Sequence, residues 1–237
     1  MDIGKMVGDS FEYTKSGLWG NWVKWISLFI CQVIFPLWGG YQWKIYRGES
    51  TIPSLEHWGE MFINGIKLII VNIVYFLIPI IVFLVSGGLA IIGLAFTKAN
   101  NPASIIPFIA SLGIAIIISI VVFFIFALLA LMANIRFART DNFGEAFNFN
   151  AIMGHIGKIG WGSYIVALIV MFLILFVVAF AIIFIMAIIG ILLALIPYIG
   201  PILMILLFLI VGILIGPFFG CWMARYITLI FDSAGTA

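Results

Sequence analysis

His57 and His155 are the side chains of this sequence best suited to acid–base or metal chemistry. His57 follows Glu56 and precedes Glu60, carboxylates that could share a cation with it. A zinc site needs three or four ligands at a recognisable spacing. No His-x-x-x-His and no cysteine pair completes such a set near either histidine. The two cysteines, Cys31 and Cys221, sit in apolar runs and read as small buried hydrophobes. Cys31 follows Leu28-Phe29-Ile30, which lacks the small residues that precede a lipidated cysteine. Nucleophile-elbow, phosphate-loop and dinucleotide motifs do not occur. Membrane enzymes and coupled transporters place ionisable groups at depth. Here residues 166–196 and 202–219 carry no charged, hydroxyl or amide side chain. Only Asn72, Tyr75, Ser86, Ser111 and Ser119 interrupt the apolar stretch before them, and Asn72 reads as one end of an interhelical hydrogen bond. The expectation is a protein with no catalytic site, no cofactor and no metal.

The elements that would carry these residues are set by lipid. Of the 237 residues 65% are hydrophobic and 8% charged, against roughly 45–50% and 25% in soluble domains. So apolar a chain cannot cover itself with polar surface in water. The net charge of +2 and the scattered basic residues exclude a phosphate-binding face, and with it a nucleic-acid partner. No soluble substrate suggests itself. The first 25 residues contain Asp2, Lys5, Asp9, Glu12, Lys15 and Lys24, which leaves no apolar core for a cleavable signal.

A pattern recurs along this single membrane domain, residues 1–237. Gly8-Asp9-Ser10-Phe11, Gly59-Glu60-Met61-Phe62 and Gly144-Glu145-Ala146-Phe147 each read glycine, acid, any residue, phenylalanine. Each precedes an amphipathic stretch, then an apolar block, then a basic-aromatic exit: Gly40 to Arg47, Ala133 to Arg139, Ala224 to Tyr226. Repeat-like units follow at 8–47, 59–139 and 144–231. In the first, Phe11, Leu18, Trp19, Trp22 and Ile26 share a helical face. In the second, Leu55, Trp58, Phe62, Ile66 and Ile69 do so, with Glu56, Glu60, Asn64 and Lys67 opposite. In the third, Phe143, Phe147 and Ile156 form a looser stripe. Such segments suit helices lying in the membrane interface, anchored by Phe11, Trp19, Trp22, Trp58, Phe62, Phe147 and Trp161.

The second apolar block runs from Leu68 to Phe96, turns through Thr97 to Pro102, and returns from Ser104 to Met132. The third runs from Gly162 to Leu195, turns through Pro197 to Pro201, and returns from Ile202 to Tyr226. Every arm exceeds the roughly 20 residues that cross a bilayer, and Asn-Pro and Pro/Gly pairs make the turns. The first block, Trp25 to Tyr41, is too short to do the same and contains Pro36, Gly39 and Gly40. It either re-enters by the face it left or forms one tilted span. Basic residues favour the cytoplasmic side. A re-entrant hairpin puts Lys5, Lys15, Lys24, Lys44, Arg47, Lys67, Arg136, Arg139, Lys158 and Arg225 on one side and only Lys98 on the other. A span divides the basic residues four against seven. The fold class expected is an all-α integral membrane protein of helical hairpins. It has four full spans, a short N-terminal re-entrant hairpin (five spans being the alternative) and interfacial amphipathic helices. Both termini would be cytoplasmic, in the cell membrane.

Three stretches carry a family resemblance: Phe11-Glu12-Tyr13 with Trp19 and Trp22; Gly40-Tyr41 through Arg47, with Pro53, Trp58, Phe62 and Gly65; and Glu145-Ala146-Phe147 with Gly157 through Tyr164. In these the sequence resembles a family of archaeal and bacterial membrane proteins catalogued as domain of unknown function 4013. The resemblance implies a membrane protein and brings no activity and no catalytic residue. Polar residues collected at one interface, with an empty core, point to a membrane-organising or curvature-supporting scaffold. Its partners are membrane lipid and other copies of itself, since Gly190, Ala194, Gly212 and Gly216 would allow helices of neighbouring copies to approach closely. A passive channel or a lipid or small-solute transporter is the alternative.

Overall fold

A computed structural model of the chain describes residues 1–89 and 102–235. Eight α-helices account for most of them: α1 Ile3–Leu18, α2 Trp22–Val33, α3 Phe35–Tyr46, α4 Trp58–Phe83, α5 Pro102–Thr140, α6 Phe149–Ile159, α7 Trp161–Ala194 and α8 Ile199–Asp232. A π segment, Leu84–Gly88, extends α4, and a short 3-10 helix, Phe143–Phe147, links α5 to α6. No strand occurs among the described residues.

Four helices are long and apolar enough to cross a membrane: Trp58–Gly87, Ile109–Thr140, Trp161–Ala194 and Ile199–Gly235. In their most apolar windows only 22, 22, 11 and 6% of residues are buried inside the protein, so most of their surface faces lipid. The chain is an all-α membrane protein, as its composition requires. The turn of the α7–α8 hairpin falls where paired prolines place it, with Tyr198 at a left-handed φ of 64°. The turn from Thr97 to Asn101, and Lys98 with it, lies outside the described residues. Both return arms overrun the bounds read from sequence, α5 to Thr140 and α8 to Asp232. At about 1.5 Å per residue, α7 and α8 each approach 50 Å, well beyond a hydrocarbon core of about 30 Å. Each must therefore tilt, bend or project beyond the lipid.

The large buried side chains collect at one end of the bundle, hereafter the base. Trp43, Tyr41, Tyr75, Tyr164, Tyr226, Phe137 and Met61 are its bulk. Buried tyrosines need partners for their hydroxyls. These four donate to backbone carbonyls of other segments: Tyr41 to Pro53 (3.1 Å), Tyr75 to Ala146 (2.7 Å), Tyr164 to Leu128 (2.8 Å) and Tyr226 to Ala167 (3.0 Å). The Tyr164 bond ties the α7–α8 hairpin to α5. Further out along the spans, Ile117, Ile120 and Val121 of α5 and Phe172, Phe176 and Phe180 of α7 are exposed.

The first apolar block is two helices of twelve residues each, broken at Ile34. Neither, at about 18 Å, could cross a bilayer. The open ends of this hairpin lie together. Lys24 Nζ at the start of α2 donates to the Ile52 carbonyl (3.3 Å), and Lys44 Nζ near the end of α3 donates to the Glu56 carbonyl (2.6 Å). Helix α3 runs antiparallel to α4 with backbones almost touching. A Cβ on Gly40 would fall 1.8 Å from the Met61 carbonyl oxygen, and one on Gly65 1.7 Å from that of Pro36.

The three amphipathic stretches take three different forms. The first is two helices rather than one. Helix α1 ends at Leu18, Gly20 takes φ +82°, and Asn21 caps α2 by accepting from the Lys24 amide. Its buried face is Met6, Ser10, Tyr13, Thr14 and Leu18, while Trp19 and Trp22 stay exposed. The second is no separate interfacial helix; it is the opening of α4, which runs unbroken into the membrane. Its inward face is Met61, Asn64, Gly65 and Leu68, and the Trp58–Phe62–Ile66 stripe points outward. The third is the 3-10 turn followed by α6, which buries Ile152, Ile156 and Ile159. The glycine–acid–x–phenylalanine pattern thus sits mid-helix, at a helix start and in a 3-10 turn.

Three of the small residues expected to let copies approach, Gly190, Gly212 and Gly216, have neighbours within the chain, and so does Gly220. A Cβ on Gly212 would meet Phe29, on Gly216 Gln32, and on Gly220 Trp38, so these three seat the α2–α3 hairpin on α8. Gly190 faces Met204 of the neighbouring span. Small residues let helices approach closely in lipid, and here the partner is intramolecular.

Candidate functional site

Two polar features stand out, a charged ring around the base and an amide cleft just inside it. In the ring, the three basic-aromatic exits converge. Arg139 pairs with Asp232 at 2.5 Å and also packs against Gly48, just past α3. Arg225 donates to the Glu49 carbonyl (2.8 Å) and lies over the Tyr13 ring. Arg136 holds Glu145 through Nε (2.8 Å) and a shorter second contact from its other nitrogen. That bond, and one from Asn148, keep the Glu145 carboxyl below the usual glutamate range. His155 stacks on Phe231, with Nε2 2.8 Å from the Phe231 carbonyl oxygen. Burial is the main reason its pKa lies below the ordinary histidine value. The histidine acts here as a strut between α6 and α8. His57 is the left-handed residue before α4, with φ 58°. Among the described residues, no three of His, Cys, Asp and Glu come together as a metal set.

The residues read from sequence as basic anchors fall mostly within this ring. Lys24, Lys44, Arg136, Arg139 and Arg225 reach backbone or carboxylate partners. Arg47 lies over Trp43, and Lys67 lies over Phe137 while donating to Asn64. Lys15 stands 3.9 Å from Glu12, and Lys158 is exposed in the last turn of α6. Of the aromatic anchors, Phe11, Trp19, Trp22, Trp58, Phe62 and Trp161 are exposed. Phe147 instead stacks on Tyr75 and meets Phe143 edge-on.

The cleft lies between α3, α4 and α5. Asn134 Nδ2 donates to Asn72 Oδ1 (3.1 Å), and Asn72 Nδ2 donates back to the Leu68 carbonyl (2.8 Å). The pair crosses between the two spans, as the sequence suggests for Asn72. Its partner, Asn134, stands inside the exit motif, two residues before Arg136, where nothing in the sequence sets it apart from the polar end. Both asparagines line a space of about 80 Å³ with Gln42, Tyr46 and Trp38. Phe35, Ile69 and Asn72 also line a larger apolar groove of about 490 Å³ running along α4 past Phe76 to Ile80.

A family model, described as a protein of unknown function (DUF4013), matches residues 25–187. The chain belongs to this family. The match begins in α2 and ends in α7, so it contains the short hairpin, the first long hairpin and the amide cleft. No curated protein and no solved structure matches the chain. The family brings no reaction to the site.

Proposed function

We propose that the protein is a non-enzymatic membrane organiser, a one-sided wedge that self-associates and supports curvature or order in the bilayer. The observation that carries the reading is the meeting of Lys24 and Lys44 with the same short stretch, Ile52 to Glu56. The α2–α3 hairpin starts and finishes at the base, so in a bilayer it enters and leaves by one face. At the base, α1, α2, α3 and α6 add their volume to that of the four spans; farther out only the spans continue. A cross-section wider in one leaflet favours a curved surface. The basic ring supports a cytoplasmic base, with both termini on that side of the cell membrane.

Purified protein reconstituted in phosphatidylcholine–phosphatidylglycerol vesicles is expected to form tubules or regular arrays. Single cysteines at Lys15 and Lys44 should react with an impermeant maleimide from the same side. Labelling from opposite sides, or smooth vesicles containing monomers, would remove the wedge. The second reading is movement of a lipid or small solute, favoured by the apolar groove that adjoins the amide cleft along α4.

A further inference from the structure

Asn134 Oδ1 is buried and has no hydrogen-bond partner, and the residue as a whole is 7% exposed. An acceptor left unmet in an apolar setting costs about 1–3 kcal/mol, so such an atom in a cavity asks for a donor. The donor must fit a space of about 80 Å³. It must also arrive uncharged, because the residues lining the cleft and the adjoining groove include no lysine, arginine or carboxylate. The level is informative. Asn72 lies five residues beyond Lys67, about 7 Å along the helix, near where the glycerol backbone of a lipid sits beneath its headgroup. From there the groove under Phe35 runs past Phe76 and Leu77 to Ile80, toward the far end of α4. It is apolar and runs about 16 Å along the helix, enough to hold the upper part of an acyl chain.

From this combination we infer that the cleft binds an uncharged, hydroxyl-bearing lipid of the diacylglycerol type. Its hydroxyl donates to Asn134 Oδ1 beside Asn72 and Gln42, and one chain lies in the α4 groove. A zwitterionic phospholipid could occupy the groove but not the cleft, because its phosphate would be desolvated with no cation to meet it. The inference does not depend on self-association.

The test uses the full chain in phosphatidylcholine vesicles with two photoreactive probes, a diacylglycerol and a phosphatidylcholine with the same diazirine acyl chain. The diacylglycerol probe is expected to label residues 69–80 about tenfold more strongly, the ratio that one buried hydrogen bond supports. Unlabelled dioleoylglycerol should compete. Asn134→Leu should abolish the preference. Because that change also removes the bond to Asn72, Ile73→Trp provides an independent arm: Ile73 is exposed on the groove wall, and a larger ring there should block labelling while thermal stability stays unchanged. Equal labelling by both probes would mean an ordinary annular lipid and would overturn the proposal. So would an unchanged preference in folded Asn134→Leu, as expected if only water meets the amide.

Discussion

Replacing Gly65 by alanine tests how α3 is held against α4. The added methyl would lie 1.7 Å from the Pro36 carbonyl oxygen and 2.8 Å from the Gly40 nitrogen. Both obstacles are backbone, so no rotamer change relieves them. Restoring ordinary contact requires the helices to part by about 1.5 Å. Overpacking of this kind costs roughly 1–3 kcal/mol, and a rigid obstacle puts it at the upper end. Alanine's higher helix propensity returns about 1 kcal/mol. The net loss is about 2 kcal/mol, which in a chain of this size lowers the melting temperature by about 4–8 °C. Gly157 on α6 is the control, since a Cβ there meets nothing within 4 Å. Thermal unfolding in dodecyl maltoside, followed by size-exclusion elution, should separate the two. Gly157→Ala should match or exceed the parent, and Gly65→Ala should fall well below it. A Gly65→Ala protein as stable as the parent would refute the close backbone contact, and with it the antiparallel seat of α3.

Protonation should weaken the α6–α8 strut. The unfolded His155 imidazole takes a proton near 6.5 and the folded one only at lower pH. Stability is therefore full above pH 6.5 and declines as pH falls toward the folded pKa. His155→Gln should flatten that part of the melting curve, and Glu145 adds a second loss below pH 4.5 that Glu145→Gln removes. Tyr75→Phe leaves the Ala146 carbonyl without its donor and should cost about 1–2 kcal/mol in the same assay. Tyr198→Gly frees a left-handed position at an exposed tip and should be neutral to stabilising by about 1 kcal/mol. A large loss there would mean the tip is held by contacts rather than by its turn.

Much of the architecture was legible because lipid imposes strong rules. The α7–α8 hairpin could be read from its proline-glycine turn, and the shortness of the first block set it apart from the other two without choosing between its two forms. Which face of each helix meets the protein was harder to read. In water, an apolar stripe marks the buried face of a helix; in lipid both faces can be apolar. The Trp58–Phe62–Ile66 stripe points outward, where membrane anchors belong, while Asn64, on the polar side of that stretch, and Gly65 face the protein. The better signal was residue size. Gly212, Gly216 and Gly220 recur every four residues, and that spacing identifies a tight helix contact, but nothing local says whether the partner is another copy or another part of the chain. Asn134 escaped notice for a related reason, since sequence alone cannot show which of two helices a lone amide will face.

The glycine notch on α8 has a bearing on how the chain is made. Trp25 donates to Leu214, Trp222 donates to Val7, and the α2–α3 hairpin fills the notch. Helices α1 and α2 thus leave the ribosome well before α8, the helix they pack against. Until α8 inserts, α1 and α2 lack their main seat even though α3 already rests on α4, and a chain that stops before α8 should be a target for membrane proteases rather than a smaller working protein.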